Sequence, residues 1–217
     1  MDKGFSFQKI LLAFFAFIGF LLALRVLYAG HLNYLFLAWN IFLAWVPFFI
    51  SSLFHKAHNR SRRLQFFIFC CWLAFFPNAL YIVTDLIHLE HESNVPKWFD
   101  AILLFSSSVV GLMMAFVSLY RVEKFLYRHF SRKLVTLIII LILFLGSFGV
   151  YLGRFLRWNS WDIISNPFEL TLSIGRRIIS PFEHLQTWTV TVILTVLFYL
   201  LYTSIKKMPG YTSQANT

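Results

Sequence analysis

LVTLIIILILFLGSFGVYLG, residues 134–153, holds twenty positions without one charged side chain. A helix needs about 20 predominantly apolar residues to cross the hydrocarbon of a bilayer. The run is continuous and does not alternate, so it reads as a helix and not as a barrel strand. Five further runs share this character: residues 10–28, 32–54, 64–89, 98–120 and 184–205. The third is longer than a span requires and is interrupted by Pro77. The chain is therefore read as an all-α polytopic membrane protein, a single integral domain over residues 1–217 with six transmembrane helices.

Composition agrees. Hydrophobic residues make up 59% and charged residues 13% of the 217. A soluble domain is closer to half apolar and a quarter charged, so an ordinary soluble enzyme is excluded. Disorder is excluded too, since it requires low hydrophobicity. The net charge of +10, from 19 basic against 9 acidic residues, would point to nucleic acid in a soluble domain. Here the bases fall between apolar runs, where they orient helices and meet anionic lipid, so membrane lipids and no nucleic acid are the expected partners. Cys70 and Cys71 are adjacent within one run and read as small hydrophobes. The first run is long for a cleaved leader, and Arg25 interrupts the approach to Leu27-Tyr28-Ala29, so it is read as a retained span.

Basic residues set the orientation. Lys3, Lys9, Lys56, Arg60, Arg62, Arg63, Arg121, Lys124, Arg128, Arg132, Lys133, Lys206 and Lys207 fall on one side, thirteen in all. Six fall on the other: Arg25, Lys97, Arg154, Arg157, Arg176 and Arg177. Both termini are expected to be cytoplasmic. Seven of the nine acids, Asp85, Glu90, Glu92, Asp100, Asp162, Glu169 and Glu183, lie on the outer side. Two segments read as interfacial. Arg121–Lys133 is a basic connection with Phe125, Leu126 and Phe130 interleaved. Within the outer loop 154–183, Pro167–Ile179 reads as a short amphipathic helix on the membrane surface.

Polar residues gather in the outer halves of the spans. At 1.5 Å per residue, Asn40 lies roughly 12 Å and Asn78 roughly 15 Å below the outer ends, with Ser106, Ser107 and Ser108 at a similar depth. Tyr81, Thr84 and Asp85 line the way up, and Arg25, Arg154 and Arg157 sit near the boundary. Polar groups in lipid must face a cavity or one another. Their shared depth predicts a pocket open to the outside and sealed below; hydrogen bonds between helices are the bland alternative.

Asp85 and His88 are one turn apart on one face, as an acid/base pair or two ligands of a metal would be, or as a helix end wetted by the interface. His91, Glu90 and Glu92 follow, without a third ligand at a defined spacing, so no metal site is assigned. Gly149 and Gly153 form a GxxxG face for close helix packing. Arg154 and Arg157 are suited to clamp a phosphate or carboxylate, to pair with Asp85, or to snorkel to head groups. Trp158 and Trp161 suit the interfacial aromatic belt. There is no Walker motif, GxGxxG, HExxH or nucleophile elbow, Ser160 has no evident base, and no cofactor is indicated.

Pro77-Asn78-Ala79…Tyr81…Thr84-Asp85-Leu86…His88-Leu89 and Tyr151-Leu152-Gly153-Arg154…Arg157-Trp158-Asn159-Ser160-Trp161-Asp162 resemble the hallmark stretches of DUF1361, a family of bacterial multi-pass membrane proteins with no assigned function. Leu37-Ala38-Trp39-Asn40…Trp45-Val46-Pro47 resembles a third. The resemblance runs from the second span to the outer loop. It implies a bacterial plasma membrane and a six-span core, and it implies no activity. Glu90, His91 and Glu92 lie outside the resembling stretch.

The residues together predict an outward-facing pocket for an anionic group of a lipid or envelope precursor. Asn40, Asn78, Tyr81, Arg154, Arg157 and Asp162 are the expected ligand-binding residues, and Asp85 and His88 the candidate acid/base pair. A small transporter or channel, or a non-catalytic assembly partner, are the alternatives.

Overall fold

The computed structural model describes residues 7–56, 61–90 and 94–214. Lys3, Arg60, His91 and Glu92, and the side chains of Lys56 and Glu90, lie outside the described residues. Every element in the described residues is helical. In chain order they are α1 Phe7–Ala29, α2 Phe36–Lys56, α3 Arg62–Tyr81, a 3-10 segment Ile82–Glu90, α4 Lys97–Leu126 and α5 Arg132–Leu156. The short α6 Asp162–Ser165, α7 Pro167–Ile179, a 3-10 turn Pro181–His184 and α8 Leu185–Gln214 complete the chain. Six of these stretches are long and apolar enough to cross a membrane.

α4 is the axis of the bundle. It packs against α1, α2, α3, α5 and the 3-10 segment, whereas α8 is attached mainly through α5. Small residues explain the central place: Ser106, Ser107, Ser108, Gly111, Ala115 and Ser118 let neighbours approach from several directions, and the serines are buried. The exterior is apolar, with Leu12, Phe20, Phe66, Phe67, Leu137 and Ile193 among the exposed side chains, as lipid demands of a spanning bundle.

Two elements differ from the periodicity reading. The third run divides: α3 stops at Tyr81 and the chain tightens into a 3-10 winding through Glu90. Pro77 has no N–H to donate within the helix, and Thr84 Oγ donates to the Tyr81 carbonyl at 2.6 Å, competing with the helical ladder. Tertiary packing fixes the switch, because a Cβ on Gly111 of α4 would lie 2.1 Å from Ile82 Cγ2. The fourth run, read to residue 120, continues as helix to Leu126. Its last turns are thus part of the bundle and not of an interfacial connection, and Val122 and Glu123 are buried. α7 is helical over Pro167–Ile179 with Pro167 in its first turn, and none of its residues is buried.

Candidate functional site

A stripe of glycine on α5 builds the site. Gly146, Gly149 and Gly153 face Leu80, Pro77 and Tyr81 of α3; a Cβ added to each would come within 2.9, 2.7 and 3.2 Å of those side chains. Only glycine allows the two backbones this close. The contact carries Arg154, one residue beyond the stripe, onto the start of the 3-10 segment.

There Arg154 meets four partners. Its Nη2 donates to Asp85 Oδ1, its Nε donates to Thr84 Oγ at 2.8 Å, and its Nη1 contacts His88 Nε2 at 3.1 Å. The guanidinium carbon lies 4.3 Å from the centre of the Tyr81 ring. Arginine stays protonated and cannot accept, so His88 Nε2 is the acceptor and the imidazole carries its proton on Nδ1. The second Asp85 oxygen accepts from Asn40 Nδ2 of α2 at 2.8 Å. Asp85 is 1% exposed and Arg154 11% exposed at the side chain. A buried ion pair of this kind is tolerable because each Asp85 oxygen and each Arg154 nitrogen has a partner. Asn40, Asp85, His88 and Arg154, from three different elements, are therefore one network.

Beside this network is a cavity of about 280 Å³ between α2, α3, α5 and the outer loop. Asn40, Asn78, Tyr81, Asn159 and Ser160 form its polar wall, with Trp39 and Trp158 as aromatic faces. Leu43, Leu73, Ile163, Leu170 and Ile174 form the apolar remainder. Asp85, His88 and Arg154 are not in the wall; they sit behind Asn40 and Tyr81.

The loop after α5 is the roof. Arg157 takes a left-handed conformation with φ 60°, and its N–H together with that of Trp158 bonds the Leu152 carbonyl. This ends α5 and turns the chain over the cavity. Ser160 then docks on α3: Asn78 Nδ2 donates to Ser160 Oγ at 2.8 Å, and Ser160 Oγ donates to the Ala74 carbonyl at 3.3 Å. Asp162 holds the turn, accepting from the Asn159 N–H at 2.6 Å and from Ser165 Oγ at 3.0 Å. Trp158 Nε1 donates to Ser173 Oγ of α7 at 3.3 Å, which ties α7 to the roof.

Of the residues expected to bind a ligand, Asn40, Asn78 and Tyr81 line the cavity, Arg154 stands behind it, Asp162 supports its roof, and Arg157 is exposed beside Trp158. The three serines of α4 are elsewhere. Ser107 and Ser108 donate to the carbonyls of Leu103 and Leu104, and Ser108 also reaches the Ile82 carbonyl. No group of three His, Cys, Asp or Glu side chains able to hold a metal occurs among the described residues.

Two polar centres escaped the sequence reading. Arg25 Nε and Nη2 bind Asp100 at 2.8 and 3.1 Å, with the guanidinium 3.4 Å from the Tyr34 ring centre. Burial and the Asp100 carboxylate push the Tyr34 phenol above its ordinary pKa. At the other end of α4, Glu123 accepts from Tyr202 Oη at 2.5 Å, Lys206 Nζ at 2.6 Å and Tyr127 Oη at 3.0 Å. The available signal was scarcity: Glu123 is the lone acid within the basic stretch 121–133.

The chain matches the family described as "Protein of unknown function (DUF1361)" over residues 39–201. The match takes in α3, α4, α5, the roof and nearly all of α2. No curated protein and no solved structure matches the chain.

Proposed function

We propose the following for this chain, which belongs to the DUF1361 family: it binds the polar head group of a membrane amphiphile, a lipid or a lipid-linked envelope precursor, in the cavity beneath the α5–α7 roof. One observation carries this reading. The same small cavity is lined by carboxamides and hydroxyls together with aliphatic side chains, the mixture an amphiphile requires. Asn40, Asn78, Asn159 and Ser160 would take the head group, and the aliphatic wall the start of its chain. The charge of Arg154 is already met by Asp85, so the cation left for an anionic head is the exposed Arg157, next in the chain to the lining residue Trp158. An acid/base role for Asp85 and His88 would require the ligand to open their contacts with Arg154. In the orientation set by the loop charges, the cavity faces outward.

Native mass spectrometry of the protein released from nanodiscs of total membrane lipid tests the proposal. One retained amphiphile is expected from this cavity, recognised by its depletion, at least tenfold, in Ala74→Phe, which places a ring in the cavity. Equal retention by that variant, or none by the wild type, overturns it. Arg157→Gly decides the charge: only an anionic ligand is lost.

The second reading, a non-catalytic assembly partner, is favoured by the closed network itself, in which Asp85 and Arg154 satisfy each other. It predicts no retained ligand and a loss of partner association when the network is broken.

A further inference from the structure

At the end of the bundle opposite this cavity, a second pocket of about 360 Å³ lies between α2 and α4. Arg121 and Lys124, one turn apart on α4, and Arg128, two residues past its end, line it with Ser51 and Ser52 of α2. Phe54 and Phe125, ring centres 4.9 Å apart, complete its wall.

Among the described residues, no acid offsets the charges of this pocket. Glu123, the acid between the three cations in sequence, is turned to the opposite side and held by Tyr127, Tyr202 and Lys206. No aspartate or glutamate among the described residues lines the pocket. Arg121 is fixed: its Nη1 donates to the Phe48 carbonyl and to Ser51 Oγ, both at 3.1 Å, and its guanidinium lies 4.5 Å from the Phe48 ring centre. Its remaining N–H groups make no hydrogen bond among the described residues. Lys124 Nζ rests 4.7 Å from the Tyr120 ring centre and makes no ion pair among the described residues.

We propose that this pocket holds the phosphate of an anionic phospholipid, independently of the outer cavity. Three cations converging on one space match a phosphate and no neutral head group. The phosphate would be a lipid's, because the walls are the ends of two membrane-spanning helices and the aromatic pair supplies a surface for the glycerol and first methylenes. Arg121 is the anchor, held in place before the ligand arrives; Lys124 and Arg128, both exposed, close on it from the surface.

The test uses the full chain in phosphatidylcholine nanodiscs containing a minor fraction of phosphatidylglycerol, with retained lipid counted by native mass spectrometry. Retention of one phosphatidylglycerol is expected, with affinity reduced about tenfold or more in Lys124→Gln/Arg128→Gln. Arg62→Gln/Arg63→Gln, which removes two exposed charges at the start of α3, should leave retention unchanged. An equal loss in both double variants would mean diffuse surface attraction and overturn the proposal. So would wild-type retention in Lys124→Gln/Arg128→Gln. Displacement of the lipid by millimolar inorganic phosphate would assign the site to a soluble phosphate instead. Thermal melting of both variants checks that the fold is intact.

Discussion

Replacing Gly149 with alanine adds one methyl group at the tightest point of the α3–α5 seam. The new Cβ would stand 2.7 Å from Pro77 Cγ and 2.8 Å from Pro77 Cβ, where ordinary contact begins at 3.4 Å. The obstacle is a proline ring inside a helix, which has no rotamer to change and no room to withdraw. The helices must part locally by about 0.7 Å, or α5 must rotate. Overpacking of this kind costs about 1–3 kcal/mol, and α5 carries Arg154 away from Asp85 as it yields. For a chain of this size that is a fall in melting temperature of about 3–10 °C. Fluorescence-detected size exclusion after a heating series in one detergent measures it. Gly153→Ala should be milder, since the atom it meets at 3.2 Å is the edge of the Tyr81 ring. Gly175→Ala on α7, with nothing within 4 Å, should melt at or slightly above the wild type through helix propensity. A Gly149→Ala protein that melts with the wild type, or a Gly175→Ala protein that falls as far, would refute the seam.

Asp85→Ala should destabilise by about 3–5 kcal/mol because it leaves a buried guanidinium uncompensated, and Asp85→Ala/Arg154→Met should recover much of that loss; a double variant no more stable than the single one would count against the pair in thermal melts. Arg157→Gly should raise stability by about 1 kcal/mol, since φ 60° disfavours a side chain, and a lower melting temperature would contradict this cap geometry. The raised pKa of Tyr34 means that its native contribution is complete below pH 10 and is lost as pH rises through the native value. Melts between pH 8 and 11 should therefore fall more steeply for the wild type than for Tyr34→Phe, and parallel curves would contradict it.

The spans were legible because a bilayer reads only continuity and length, and the runs supply both. α7 was legible for a similar reason: a proline opens it, and its apolar positions recur at the helical period. The break at Tyr81 was not legible, since it depends on Ile82 seating against Gly111, a contact across 29 residues of chain. The end of α4 was misread because Arg121 and Lys124 looked like the start of the connection that does hold Arg128; they lie on the last turns of a helix that buries Glu123. Depth alone grouped the outer polar residues but could not sort them. A serine in a helix can satisfy itself on the carbonyl four residues back, as Ser107 and Ser108 do, so they need no cavity. The partnership of Asp85 with Arg154 spans 69 positions and exists only because glycines draw α3 and α5 together.

The three long-range ion pairs also impose a calendar on synthesis. Arg25 waits for Asp100 across 75 residues, Asp85 for Arg154 across 69, and Glu123 for Lys206 across 83. At about 5–20 residues per second, each charge is unaccompanied for several seconds after its own helix has emerged. Five of the six stand within four positions of a helix end or on the 3-10 segment, and the sixth, Lys206, is exposed, so each side chain can stay hydrated at the interface while it waits. The nascent bundle can therefore remain loosely assembled without stranding a charge in hydrocarbon. It locks in stages, as α4, then α5 and finally α8 enter.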